Sequence, residues 1–256
     1  IDEAQDMQRF IPIPVCPLIA AWFVVIMGFV SAESSEVLCT RMEVDLGDTL
    51  LSRFLSEGDV RAMLDQSGQS MQGYPISGIQ TRELEYLLEK NPYVRNAEVS
   101  KEISGTLHVS VEQRIPLVRI MPGGRKGYYL DTGGTVLPLS DHFTPRILLA
   151  TGHLPDPGGE PDPAEALDEL YRFCLFLADH PFWKEQIVQI YVNREEEVEL
   201  IPRVGAHQIL LGSPAGWEEK MKNLELLYRQ GFPVYGWNSY ETINLKYRNQ
   251  IICTKR

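Results

Sequence analysis

At 256 residues, 44% hydrophobic and 23% charged, with no low-complexity tract, the chain is not intrinsically disordered and has room for an anchor and two small domains. A formal net charge of -11 and a pI near 5.0 argue against a nucleic-acid binder, because phosphate contacts need clustered Lys and Arg. The acid gathers between Asp156 and Glu199, including Glu195, Glu196 and Glu197, whereas Gly205 to Arg256 is net basic. Such a pattern is expected of a solvated acidic helix and loop.

The sequence opens at Ile1 rather than at methionine, which reads as a truncated start to a short tail over 1–15. Leu18 to Val30 is an unbroken run of 13 apolar or glycine residues, preceded by Pro12, Pro14 and Pro17. A spanning helix needs roughly 20 apolar residues. The segment 16–32 reads as a transmembrane helix, with two rivals left open. One is a cleaved signal peptide ending near Ser31-Ala32, although Arg9 is outnumbered by Asp2, Glu3 and Asp6 where a basic region is expected. The other is a buried core helix.

Val37, Cys39, Met42, Val44 and Leu46 suggest a strand with an irregularity at Thr40-Arg41. Gly58-Asp59 opens a helix with Val60, Met63 and Leu64 as its stripe. Thr81 is a good N-cap, and Leu84, Leu87 and Leu88 share the face of a second helix, which Asn91-Pro92 stops. Val94, Ala97 and Val99 lead into an extended segment. After a turn at Ser104-Gly105, Leu107, Val109 and Val111 alternate with His108, Ser110 and Glu112, the period-2 pattern of a strand with one buried face. Residues 37–114 thus predict β-α-α-β-β, a three-stranded sheet with two helices on one face.

Beyond Arg114 the pattern changes to strands and turns, a β domain over 115–256. Leu117 to Ile120 reads as a strand. Tyr128-Tyr129-Leu130 and Val136-Leu137 flank Asp131-Thr132-Gly133-Gly134, a strong hairpin signal. Further strands are expected at Arg146 to Ala150, Ile187 to Val192, Glu197 to Ile201, Gln208 to Leu211 and Glu241 to Arg248, with Ile251-Ile252 as an extension. Helices are expected from Ala164 to Ala178 and from Trp217 to Gln230. The fold class is α+β, and this half reads as mostly antiparallel sheet with two helices packed on it.

Chemistry is sparse. Four cysteines, at 16, 39, 174 and 253, form no CxxC or Cys/His cluster, and the histidines at 108, 142, 153, 180 and 207 lack metal-ligand spacing. No metal or cofactor is expected. Cys39 and Cys253 read either as a disulfide in an oxidising compartment or as two buried, unpaired thiols. Asp131-Thr132-Gly133 invites an aspartic-protease reading, but that mechanism needs two aspartates sharing a proton and no second copy exists. The segment fits a hairpin turn equally well, and no GxSxG, P-loop or dinucleotide glycine pattern is found. No catalytic residue is expected.

The order of short motifs resembles the FtsQ/DivIB family of bacterial division proteins, and more closely its Bacteroidetes-type members. Carrying the resemblance are Gly73-Tyr74-Pro75-Ile76, Asn91-Pro92-Tyr93-Val94 with Ala97-Glu98-Val99, and Val111-Glu112-Gln113-Arg114-Ile115-Pro116. Tyr128-Tyr129-Leu130-Asp131, Leu137-Pro138-Leu139-Ser140, Ile243-Asn244-Leu245-Lys246-Tyr247 and Asn249-Gln250 extend it. The resemblance implies a short cytoplasmic tail, one transmembrane helix in the inner membrane, and a POTRA domain and β domain in the periplasm at the division septum. It also implies a non-catalytic scaffold that holds FtsB-like and FtsL-like proteins, and other components of the divisome, and helps to control septal peptidoglycan synthesis. In that family an FtsB strand adds to the edge near the last strand, which here matches Glu241 to Arg248. β-Augmentation draws affinity from main-chain hydrogen bonds. Tyr235, Trp237, Tyr240, Lys246, Tyr247 and Arg248 are the expected contacts, whereas Ile243 and Leu245 are expected in the core. A POTRA-bearing component of outer-membrane protein assembly is the alternative. Such proteins continue into a barrel of many strands of about ten residues, and this chain has too few.

Overall fold

The computed structural model describes residues 15–34, 37–47, 52–66, 71–158, 167–247 and 250–256, and within the first helix the side chains of Pro17 and residues 19–27. That helix, α1, runs Val15–Ser34. Pro17 falls in its first turn, where the missing N–H has no helical partner to lose. Trp22, Phe23, Val24, Val25 and Met27 are all exposed, so this described stretch of the helix is apolar on every side. The expected membrane span 16–32 lies within α1. Among the described residues no helix is long and apolar enough to cross a membrane.

The chain divides into two compact units that are not contiguous in sequence. The first gathers residues 1–46, 57–90 and 96–111; the second gathers 47–56, 91–95 and 112–256. In the first, the elements are β1 (Arg41–Asp45), α2 (Glu57–Asp65), α3 (Thr81–Glu89), β2 (Val94–Lys101) and β3 (Thr106–Gln113), the order read from the sequence. The three strands form a sheet in the order β1-β3-β2, with β1 parallel to β3. Val60 and Leu64 of α2, Leu84 and Leu88 of α3, and Leu107 and Val109 of β3 are buried. Here the 3.6 and 2.0 periodicities meet. Gln80 rather than Thr81 holds the cap position of α3, and it makes no side-chain cap hydrogen bond. Gly105 has φ +88 in the turn before β3, and a Cβ there would come 2.5 Å from the Leu38 carbonyl oxygen. Only glycine meets both demands.

The second unit is built on a nine-stranded sheet. Its own strands are β4 (Pro116–Pro122), β5 (Tyr128–Asp131), β6 (Val136–Pro138), β7 (Leu148–Gly152), β8 (Ile187–Val192), β9 (Val198–Pro202), β10 (Gln208–Gly212), β11 (Tyr240–Asn244) and β12 (Ile252–Lys255), in the spatial order β12-β11-β10-β9-β8-β7-β4-β5-β6. The sheet is mixed. β4 with β7, β7 with β8, and β10 with β11 are parallel, and the other neighbours are antiparallel. The expectation of mostly antiparallel sheet therefore fits the other five pairs, and these three are the exceptions. Parallel neighbours require a crossover of a dozen or more residues. Two of the three crossovers carry the two long helices, α4 (Asp168–Asp179) between β7 and β8 and α6 (Trp217–Leu226) between β10 and β11. Residues 159–166, where the expected helix from Ala164 begins, lie outside the described residues.

A short helix, α5 (Trp183–Gln186), follows α4. The expected helix to Gln230 is not continuous: α6 passes into a π-helical turn, Leu227–Gly231, and then α7 (Phe232–Tyr235). Pro233 explains this, because it has no N–H and its ring excludes the carbonyl four residues earlier. The wider π turn absorbs the break. One core fills the helix side of the sheet, with Phe173, Leu177, Trp183, Ile190, Leu200, Ile209, Leu224, Phe232 and Ile243 among its members.

At the β6 end a smaller cluster buries Phe54, Tyr129 and Leu137. Phe54 stacks on Tyr93 with ring centroids 4.6 Å apart and meets Phe143 edge-on at 5.4 Å. Buried Gln113 fixes the segment that brings Phe54 there: its Oε1 accepts from the Leu55 N–H at 3.0 Å and its Nε2 donates to the Leu55 carbonyl at 3.3 Å. Asp131, only 3% exposed, orders the β5–β6 hairpin. Its carboxylate accepts from the Gly133 and Thr135 N–H groups at 2.9 and 2.7 Å and pairs with Arg114 at 3.0 Å. The aspartate of the protease-like motif is thus committed to a turn.

Candidate partner-binding edge

β11 is an interior strand, not an edge. Its Thr242 and Ile243 pair with Gln208 and Ile209 of β10 on one side and with Thr254 and Cys253 of β12 on the other. The C-terminal strand thus covers the edge that the expected site leaves open, and β12 becomes the edge. Ile243 and Leu245 are buried, as their alternation implies. Ile252, Thr254 and Lys255 are exposed. The Arg256 N–H reaches inward to the Ser239 carbonyl at 3.3 Å. By alternation the Lys255 N–H points outward.

The expected contact residues fall into two groups at opposite ends of β11. Tyr235, Trp237 and Tyr240 lie at its start, with Tyr235 65% exposed. Trp237 and Tyr240 both pack on Phe232, at 4.9 and 6.3 Å between centroids. Trp237 also meets Tyr228 edge-on at 5.6 Å, so it is a surface ring held from beneath. Lys246 and Tyr247 lie at the other end, beside a depression of about 350 Å³ that Lys220, Gln250 and Ile251 also line. Tyr247 is exposed, whereas Lys246 is tied to Glu197 at 2.5 Å. That bond and another from Asn193 hold the Glu197 carboxyl below its ordinary value. Arg248 lies outside the described residues. Sequence reasoning missed β12 as the edge strand, although the β-branched Ile251, Ile252 and Thr254 are its signal.

Beneath the first group sits a buried polar pair. The His207 Nε2 and the Tyr228 hydroxyl share a hydrogen bond of 3.0 Å. Nδ1 of His207 is buried without a hydrogen bond of ordinary geometry. Burial pushes His207 below the usual imidazole value, against a smaller pull from the Trp237 carbonyl, and burial raises the Tyr228 phenol. Cys39, Cys174 and Cys253 are free thiols, and burial raises each of them, Cys174 to about 12. Among the described residues no group of three or more His, Cys, Asp or Glu side chains is arranged to hold a metal ion.

Comparison with known proteins also finds two regions in the chain. Residues 37–112 match the POTRA-like domain, and residues 115–254 match the family described as FtsQ/DivIB, C-terminal related. The chain belongs to the FtsQ/DivIB family. It is 26% identical over 174 residues to the cell division protein FtsQ of Salinibacter ruber, covering 65% of this chain and 66% of that protein. It is 26% identical over 190 residues to that of Geotalea daltonii, with 72% and 66% covered. For Rhodothermus marinus the identity is 27% over 184 residues, with 64% and 61% covered. The chain thus spans a little under two thirds of each relative's length.

Proposed function

We propose that this FtsQ/DivIB-family chain is a non-catalytic, membrane-anchored scaffold of the division machinery that binds FtsB-like and FtsL-like partners through β12. Through them it acts on septal peptidoglycan synthesis. The open outer edge of β12 is the observation that carries this reading, because an unpaired row of N–H and C=O groups is a template for an added strand. A partner strand there would run between two anchoring groups, Tyr235, Trp237 and Tyr240 at one end and Lys246 and Tyr247 at the other. Exposed aromatic rings held by packing from below are typical binding anchors. The reading takes the segment of α1 as the anchor, and its described side chains from Ile19 to Met27 are apolar and exposed. On this reading the two folded units lie in the periplasm at the septum.

Capture of an FtsB-like partner tests the reading. The full chain should retain it on a pulldown, and a chain ending at Gln250, which lacks β12, should not. Equal capture by both, with the truncated chain still folded by circular dichroism, overturns the assignment of the edge. A fluorescent fusion should gather at midcell; a uniform outer-membrane signal would favour the assembly alternative instead.

A further inference from the structure

The three mutually parallel strands β4, β7 and β8 end on the same side of the sheet. Their carboxyl ends enclose a depression of about 680 Å³ within the second unit. Crevices outside the carboxyl ends of parallel strands are where open mixed sheets bind ligands. Arg125, His153, Tyr191 and Arg194 line this one. Arg194 has no ion pair and the His153 imidazole no hydrogen bond among the described residues. Arg125 pairs only with Asp156, at the exposed rim.

The walls are fixed. Asn193 accepts the Glu195 and Glu197 N–H groups at 3.0 and 2.9 Å, which sets the tight turn that carries Arg194. Gly152 has φ +106, and a Cβ there would meet the Val192 carbonyl oxygen at 2.0 Å, so β7 and β8 approach more closely than any side chain allows. The Gly152 carbonyl accepts from the Gly123 N–H at 3.0 Å, and the His153 N–H donates to the Val192 carbonyl at 2.8 Å. Thr151 and Tyr191 are register partners on the face turned away from α4, and the Thr151 hydroxyl accepts from Gln189 at 2.8 Å. The Tyr191 ring is 40% exposed. Glu195 and Glu196 follow in the same turn, yet neither pairs with Arg194. In a chain of net charge -11, this hollow joins fixed walls to an unpaired guanidinium and a second one paired only at its rim.

The geometry points to an oxyanion site: Arg125 and Arg194 grip a carboxylate or phosphate, and Tyr191 offers a ring face to the group that bears it. Guanidinium forks match both oxyanions with paired, charge-assisted hydrogen bonds, and an aromatic face beside them suits a sugar or other flat, weakly polar ring. In the compartment proposed above, the oxyanion comes either from carboxylated amino sugars of the wall or from phosphate. The site itself stands on its own residues and does not depend on the division reading.

Three probes added to the full chain separate the cases. N-acetylmuramic acid and N-acetylglucosamine are followed by saturation-transfer NMR, and inorganic phosphate by ³¹P line width. N-acetylmuramic acid should bind, N-acetylglucosamine, which lacks its carboxylate, at least ten-fold more weakly. Arg125→Ala with Arg194→Ala should weaken binding ten-fold or more, whereas Arg172→Ala, an exposed arginine of α4, should leave it unchanged. Phosphate binding with the same arginine dependence, and no response to the amino-sugar acid, assigns the site to a phosphate source. Three results overturn the site. They are no binding of either oxyanion, equal binding of the two sugars, and binding unaffected by the double substitution. Because both arginines are surface residues, circular dichroism should show all variants folded.

Discussion

The nine-stranded sheet ends in two edges that are treated in opposite ways. β6 has three residues, finishes at Pro138, and buries its own Leu137 in the aromatic cluster of Phe54, Tyr93 and Phe143. The Tyr93 hydroxyl donates to the Pro138 carbonyl at 3.3 Å, so one acceptor is already taken. Proline, shortness and a covering segment are the usual means of blunting an exposed edge. β12 is also short, at four residues, and carries the charge of Lys255, but it has no proline and no strand pairs outside it among the described residues. One end of the sheet is closed by its own chain. The other is open among the described residues, and the difference can be attacked from both sides.

Breaking the closed end should have the largest effect. Phe54→Ala removes a ring that is 4% exposed and touches Tyr93, Tyr129 and Phe143. The loss is expected at about 3–5 kcal/mol, by analogy with buried aromatic truncations. Urea unfolding followed by tryptophan fluorescence reads it, since Trp183, Trp217 and Trp237 all lie in the second unit. Partner capture should persist under native conditions. Next comes Asp131→Ala, which strands the Gly133 and Thr135 N–H groups and leaves Arg114 unpaired. The expected cost is about 2–3 kcal/mol. Asp131→Asn should recover part of it, because an amide oxygen can still accept from the two N–H groups.

These two residues also show what the sequence carries and what it hides. Asp131-Thr132-Gly133-Gly134 between two apolar runs announces its hairpin, and Leu107, Val109 and Val111 announce a half-buried strand, because both are local patterns. Phe54 belongs to no periodic run; its partners Tyr93, Tyr129 and Phe143 are distant in sequence, and only the fold brings them together. Gln113 reads as one more polar residue at a strand end, and its burial against the Leu55 backbone could not be inferred from spacing. Strand positions are legible where strand neighbours are not. β10 and β11 are parallel because α6 crosses between them, and nothing in Ile209 or Ile243 says which neighbour each will find. The edge followed the same rule: the aromatic residues before β11 were readable, and the strand that covers β11 was not.

The open end should respond in binding rather than in stability. Lys255→Pro removes an outward N–H while sparing the inward bond of Arg256 to Ser239. The expected stability change is under about 1 kcal/mol, in line with a surface substitution. Capture of a partner strand should fall at least ten-fold, and Lys255→Ala, which keeps the N–H, should fall much less. If proline and alanine behave alike, charge rather than strand pairing governs the edge.

The smallest effect is a pH dependence beneath the open end. His207 is 3% exposed, bonded to Tyr228 through Nε2, and surrounded by Phe232 and Tyr228 rings. Burial lowers its native pKa, and the charge of Arg256 acts in the same direction. The unfolded chain keeps the ordinary value of about 6.5. Above that value both states are neutral there and stability is full. As pH falls through it, the unfolded chain gains a proton that the native state refuses, so stability declines on acidification. The Glu197 carboxyl, lowered in the native state, also loses stability on acidification, but near the lower range of carboxylates, so the two are separable. Replacing both partners, His207→Phe with Tyr228→Phe, removes the buried polar pair without stranding either atom. The wild type should lose stability between pH 7 and pH 5.5 by a margin that the double variant lacks. Because Trp237 stands on Phe232 and Tyr228, partner capture by the wild type should weaken over the same interval. Parallel pH profiles for the two proteins would show that the imidazole stays neutral for reasons unrelated to stability, and that the ring above it does not sense pH.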